Sequence, residues 1–106
     1  MSLHAHDSEF ANRVRTSFAK QHAMALIHAT LPVVEPGLTE IHLPHWAGVE
    51  QQHGFVHGGV VGMIADSAAG YAAMTLVAAS ASVLTVEYKM NLVAPADGEK
   101  LIARGK

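Results

Sequence analysis

An α+β fold, with one long helix laid against an antiparallel sheet, is the class this sequence predicts. Three observations predict it. Residues 58–76 form a proline-free run rich in Ala, Met, Ile and Leu, long enough for several helical turns. Before it, Pro36-Gly37 separates two short apolar runs as a hairpin turn would. After it, residues 82–93 alternate without a break: Leu84, Val86, Tyr88, Met90 and Leu92 on one side, Thr85, Glu87, Lys89 and Asn91 on the other.

Taken in chain order, Ser8 is placed to cap a first helix, in which Phe10, Val14 and Phe18 make an apolar stripe at i, i+4 and i+8. That helix is expected to continue through Met24 and Ile27 toward Ala29. The hairpin follows as residues 31–35, the Pro36-Gly37 turn, and residues 38–43, where Thr39, Ile41 and Leu43 alternate weakly with Leu38, Glu40 and His42. Residues 46–56, rich in Gly, Gln and His, read as a loop. Gly62 and Gly70 in the long helix each cost about 1 kcal/mol against Ala, a cost consistent with neighbouring backbone approaching closely, as a curved sheet wrapped around the helix would. Pro95 and Asp97-Gly98 mark a turn, and residues 99–105 begin a last strand.

The bulk numbers bound the function. A chain of 106 residues reads as a single domain, 1–106. Its charged fraction of 15% is low against a typical value of about 25%, which points to surface buried in an oligomer. A net charge of −2 offers no electrostatic case for nucleic acid or anionic lipid. With no cysteine, thiolate metal sites and Cys nucleophiles are excluded. The eight histidines show no metal-ligand pairing of the zinc-hydrolase kind, so no metal is expected. Residues 1–20 do not read as a signal peptide, and the uncharged stretch 67–86, bounded by Asp66 and Glu87, is too weakly hydrophobic to read as a membrane span. The expectation is a cytoplasmic enzyme.

The chemistry concentrates in Gln51-Gln52-His53-Gly54-Phe55-Val56-His57-Gly58-Gly59, followed by Asp66. Where Ser, Thr, Asp or Asn would normally cap a helix, this one opens on His57 and two glycines, leaving first-turn amides for an anion or a developing oxyanion. Asp66 lies eight residues after Gly58, about 12 Å along one helix. A single carbonyl therefore cannot meet both groups of one helix. Two such helices packed antiparallel about a twofold would place each carboxylate near the other's N-terminus and so make two shared sites. Asp66 would there act as nucleophile or as general base for water.

The segment GFVHGGVVGMIADSAAGY, residues 54–71, resembles the signature of PaaI-type (phenylacetate-degradation-type) hotdog thioesterases, and LTVEYKMNLVAPADGEKLIARGK resembles that family's next strand, turn and strand. The resemblance covers the chain from about Phe10 onward. It implies a long central helix wrapped by a curved antiparallel β-sheet, paired sheets in a dimer, a homotetramer built as a dimer of dimers, and hydrolysis of acyl-CoA or aryl-acyl-CoA. Coenzyme A would be part of the substrate, with no separate cofactor. Residue by residue it assigns Asp66 as the catalytic carboxylate, Gly58 as the amide that polarises the thioester carbonyl, and His57 as the motif histidine. Gln51 falls where many relatives have Asn, and Thr85 where some carry a hydroxyl near the attacking water. Gly59, His53, Val56 and Phe55 would contact substrate. Relatives continue with two further strands, so the C-terminal strands are expected to be missing from this chain. Two alternatives stay open: a hotdog dehydratase acting on hydroxyacyl thioesters, against which Gly-Gly stands where dehydratases carry Pro-Gly, and a non-catalytic acyl-CoA-binding module.

Overall fold

The computed structural model describes residues 3–106. Its elements are α1 (Phe10–Ala19), α2 (His22–Ile27), β1 (Thr30–Glu35), β2 (Leu38–Pro44), a 3-10 turn (Ala47–Val49), α3 (Gly58–Met74) and β3 (Lys100–Gly105). The strands form one antiparallel sheet in the order β1-β2-β3. The 17-residue α3 lies across the face made by β2 and β3.

The first helix differs from expectation at both ends. Glu9, not Ser8, occupies the N-cap and makes no side-chain cap; Asp7 Oδ1 instead accepts from the Glu9 amide at 3.0 Å. The helix also stops at Ala19 rather than running on, and α2 starts afresh after Gln21, whose extended backbone breaks the ladder. The break turns Met24 and Ile27 into the core alongside Val14. His28, at φ 67°, closes α2 in the left-handed conformation.

Arg13 ties α1 to the far end of α3. Its guanidinium donates to the carbonyl of Met74, the last residue of α3, at 2.9 Å, and to those of Val77 at 3.0 Å and Ala78 at 3.2 Å just beyond it. A cation there also meets the negative end of the helix dipole. Asp7 balances the charge, 3.3 Å from Arg13 Nε.

In the sheet, the Pro36-Gly37 turn forms where expected, with Gly37 at φ 74°. The β1–β2 register slips between Thr30 and Val33. Pro32 lies in that interval and has no amide to donate, which suits a bulge on an edge strand. Strand β2 alternates cleanly: Thr39, Ile41 and Leu43 are 0% exposed beneath α3. On the outer face Glu40 is held by His42 at 2.9 Å and by Arg104 of β3 at 2.8 Å. These hydrogen bonds, His42 foremost, keep the Glu40 carboxyl below its ordinary range.

The inner face of α3 repeats as Ile64, Ala68, Tyr71 and Ala72, the spacing of one helical stripe. Two polar contacts lock it to the sheet. Thr39 Oγ1 donates to the Ala68 carbonyl at 2.7 Å, and the buried Thr75 hydroxyl accepts from the Gly37 amide at 2.7 Å. Gly105 of β3 crosses at the same level, where a Cβ would overlap the Ala68 carbonyl. Only glycine allows the strand to lie that close.

The sequence's most regular alternation, residues 82–93, is not a strand here. Among the described residues no backbone hydrogen bond joins it to a neighbour. It runs extended and unpaired along α3 in the opposite direction. Thr85 meets Asp66, Tyr88 approaches Gly62 and Leu92 approaches Gly58. Alternation prepares two faces, but a strand requires a second backbone to receive its amides and carbonyls.

Candidate active site

The start of α3 is prepared by the preceding loop. Glu50 and Val56 form an isolated antiparallel bridge, and the His57 amide donates to the Val49 carbonyl at 2.8 Å. Between them Gln51 Oε1 accepts from the amides of His53 at 2.5 Å and Phe55 at 3.3 Å. Gln51 therefore spends its carbonyl oxygen on the loop, and its amide nitrogen is the end left to face a ligand. Val56 is 4% exposed and packs in the core. Phe55 is half-buried, and His53 is exposed at the loop's tip.

The helix start is capped at one of its first-turn amides, so the expectation of free amides holds only in part. His57 Nδ1 accepts from the Gly59 amide at 2.9 Å. A neutral imidazole that accepts at Nδ1 carries its proton on Nε2, so His57 presents a donor outward. The Gly59 amide is thus occupied, and a substrate contact from it requires His57 to move. Gly58 differs. Among the described residues nothing accepts from its amide, the one first-turn donor of this motif that the cap leaves open.

Asp66 projects from the middle of α3. Thr85, on the extended segment, donates its hydroxyl to Asp66 Oδ1 at 2.7 Å. Both line a cavity of about 380 Å³ whose remaining wall includes Ser67, Tyr71 and Met74 of α3, Ser17 of α1, and Gln21 at the break between α1 and α2. At its base the Tyr71 hydroxyl accepts from Gln21 Nε2 at 2.6 Å and lies 3.1 Å from Ser17 Oγ. A carboxylate beside a hydroxyl that donates to it can hold a water between them, because the hydroxyl oxygen remains free to accept.

Of the residues singled out from sequence, the fold joins Asp66 with Thr85, and gathers Gln51, His53, Phe55, His57, Gly58 and Gly59 at the helix start. It does not bring the two groups together: no residue of 51–59 lines the cavity at Asp66. Within one chain the two groups stand apart. Ser17, Gln21, Ser67 and Tyr71 were not foreseen. Part of the signal was present, since Asp66, Gly70 and Met74 recur at i, i+4 and i+8 with Ser67 and Tyr71 beside them. Among the described residues no helix is long and apolar enough to cross a membrane.

Comparison with known proteins agrees with this fold. The model of the thioesterase superfamily matches residues 53–106. A thioesterase family protein from Silicibacter pomeroyi superposes with a TM-score of 0.87 at 45% sequence identity, over 90% of this chain and 70% of its own. The E. coli PaaI protein of the phenylacetic acid degradation operon gives a TM-score of 0.79 at 14% identity, over 91% of this chain and 68% of its own. A phenylacetic acid degradation-related protein from Ralstonia eutropha JMP134 gives 0.74 at 18%, over 92% and 75%. No curated protein matches in sequence. The last two likenesses establish the hotdog fold, while the family model and the Silicibacter protein establish kinship: this chain belongs to the thioesterase superfamily and is a thioester hydrolase.

Proposed function

We propose that the protein hydrolyses a small, aromatic or medium-chain acyl-CoA to the free acid and CoA, at sites shared between two subunits. The observation that carries this reading is the hydrogen bond from Thr85 to Asp66 at the wall of a 380 Å³ cavity, in a chain whose first helical amide, Gly58, has no acceptor among the described residues and lies two turns away at the start of the same helix. In an antiparallel pair of α3 helices, Asp66 of one subunit faces the thioester carbonyl that accepts from Gly58 of the other. Donation from that amide stabilises the negative charge that develops on the carbonyl oxygen. Asp66 either removes a proton from water as the water oxygen bonds to the carbonyl carbon, or attacks that carbon itself to give an anhydride that water then opens. In both routes the C–S bond breaks and CoA leaves as the thiol. Thr85 fixes the carboxylate and offers its oxygen to the water, and Gln51 Nε2 and the outward Nε2–H of His57 are donors at the carbonyl end. Phe55 and His53 border that end, with Gly59 behind the His57 cap. Pairing of dimers into a tetramer and a cytoplasmic location, where acyl-CoA is made and used, complete the reading.

A thiol-release assay across short, medium and aromatic acyl-CoAs tests it. Wild type releases CoA, and Asp66→Asn lowers the rate by about 10²- to 10⁴-fold, the usual contribution of a positioned acid–base group. Binding without thiol release in both proteins would contradict hydrolysis and point to a binding module. Loss of water from a hydroxyacyl-CoA without free thiol would point to a dehydratase.

A further inference from the structure

His45 lies outside every motif above, just beyond β2, yet it joins three segments around the helix start. Its Nδ1 is 2.9 Å from the Gly98 carbonyl. Its Nε2 is 3.0 Å from the Gly54 carbonyl and 2.8 Å from Glu50 Oε2. Carbonyl and carboxylate oxygens only accept, so both ring nitrogens must donate, and the ring sits as an imidazolium with Glu50 as its counterion. The His45 amide adds a bond to the Glu99 carbonyl at 2.9 Å, and the Val56 amide binds the Ala96 carbonyl at 3.0 Å. The 50–56 loop is therefore fastened to the 96–99 turn on both sides of the ring, immediately before the Gly58 amide.

We propose that His45 is a positioning residue for thioester hydrolysis, an imidazolium clasp that holds the 50–54 loop, and through it the Gly58 amide, in place and releases it on losing its proton. The inference rests on the assignment of Gly58 as the carbonyl-polarising amide. A neutral ring has one N–H. Whichever nitrogen gives up its proton then points a lone pair at a carbonyl oxygen, and either the Gly98 side or the Gly54 and Glu50 side opens. The titratable groups on the joined segments are Glu50 and His53 on the loop, and Asp97, Glu99 and Lys100 on the turn and at the start of β3. Among the described residues only Glu50 contacts the ring. The carbonyl of Gly98, and then the carbonyl of Gly54 and the carboxylate of Glu50, favour the charged ring and hold its pKa above the ordinary value despite partial burial. With the folded value raised, the clasp's stabilisation is fully present below the ordinary histidine range and is lost as pH climbs through the raised value.

Ring-nitrogen NMR across a pH titration reads the clasp without any turnover. At about pH 6.5, the ordinary histidine midpoint, His45 is mostly protonated on both nitrogens, because its titration lies above that value. Glu50→Gln moves that titration down. A His45 ring found as a neutral tautomer at the same pH would overturn the proposal. Kinetics then test its consequence. His45→Gln, which can reach one carbonyl but not both, lowers kcat about 10- to 100-fold below pH 7 with little change in KM, and abolishes the fall of kcat on the alkaline side. An alkaline limb that persists in His45→Gln would refute the positioning role. Loss of turnover in Asp66→Asn is independent of either outcome, so failure of the clasp and failure of the hydrolytic reading are told apart.

Discussion

Strand β2 and the extended segment 82–93 carry the same kind of sequence and have opposite fates. The alternation in β2 is short and interrupted by the polar Thr39 on its inner face, yet every inner residue is fully buried and both neighbours are paired. The alternation in 82–93 is longer and more apolar, yet Leu84, Val86 and Val93 are 87%, 94% and 92% exposed. The difference lies in what each meets. β2 has β1 through a local turn, β3 from the end of the chain, and α3 above it, while 82–93 has only the side of α3. Side-chain pattern is a property of a segment, whereas strandedness is a property of a pair. What 82–93 contributes within one chain is therefore a single functional group, the Thr85 hydroxyl on Asp66, rather than a share of the core.

This contrast can be broken by substitution. The largest effect belongs to β2: Ile41→Ala removes a side chain with 0% exposure and costs about 2–5 kcal/mol of stability, read by chemical denaturation. A loss below about 1 kcal/mol would mean that this face is not the core. Next comes Thr85→Val, which keeps the shape and removes the donor to Asp66. It lowers kcat about tenfold with no change in denaturation midpoint, and an unchanged kcat would detach 82–93 from the chemistry. The smallest is Val86→Ser, at 94% exposure in one chain, which changes monomer stability by no more than about 0.5 kcal/mol. A larger loss that depends on protein concentration would show this segment covered in a multimer.

The legible part of the molecule was the part encoded locally. Pro36-Gly37 named its own turn and the 58–76 run its own helix, because each signal lies within a few residues of its consequence. What stayed hidden depends on distant partners. The break between α1 and α2 suits the burial of Met24 and Ile27. The inward turn of Gln51 and the cap from His57 are settled by amides those side chains find only in the folded loop. His45 looks ordinary until Gly98 and Gly54 arrive on either side of it. The base of the cavity is made by Ser17 and Gln21 reaching Tyr71 across half the chain.

Subunit mixing tests most directly whether the carboxylate of one chain serves the amide of another. Gly58→Pro deletes the amide at the first helical position, where proline is well tolerated, and the preceding His57 already has the extended ψ of 134° that proline favours. Asp66→Asn deletes the carboxylate function. Each variant alone should be inactive. Refolded together at equal amounts, half of the dimers pair one of each, and one of their two sites is intact, so about a quarter of wild-type thiol release returns. Recovery near that level is the predicted result; no recovery from a mixture shown to have exchanged subunits, or full activity in a wild-type monomer, would contradict the shared site.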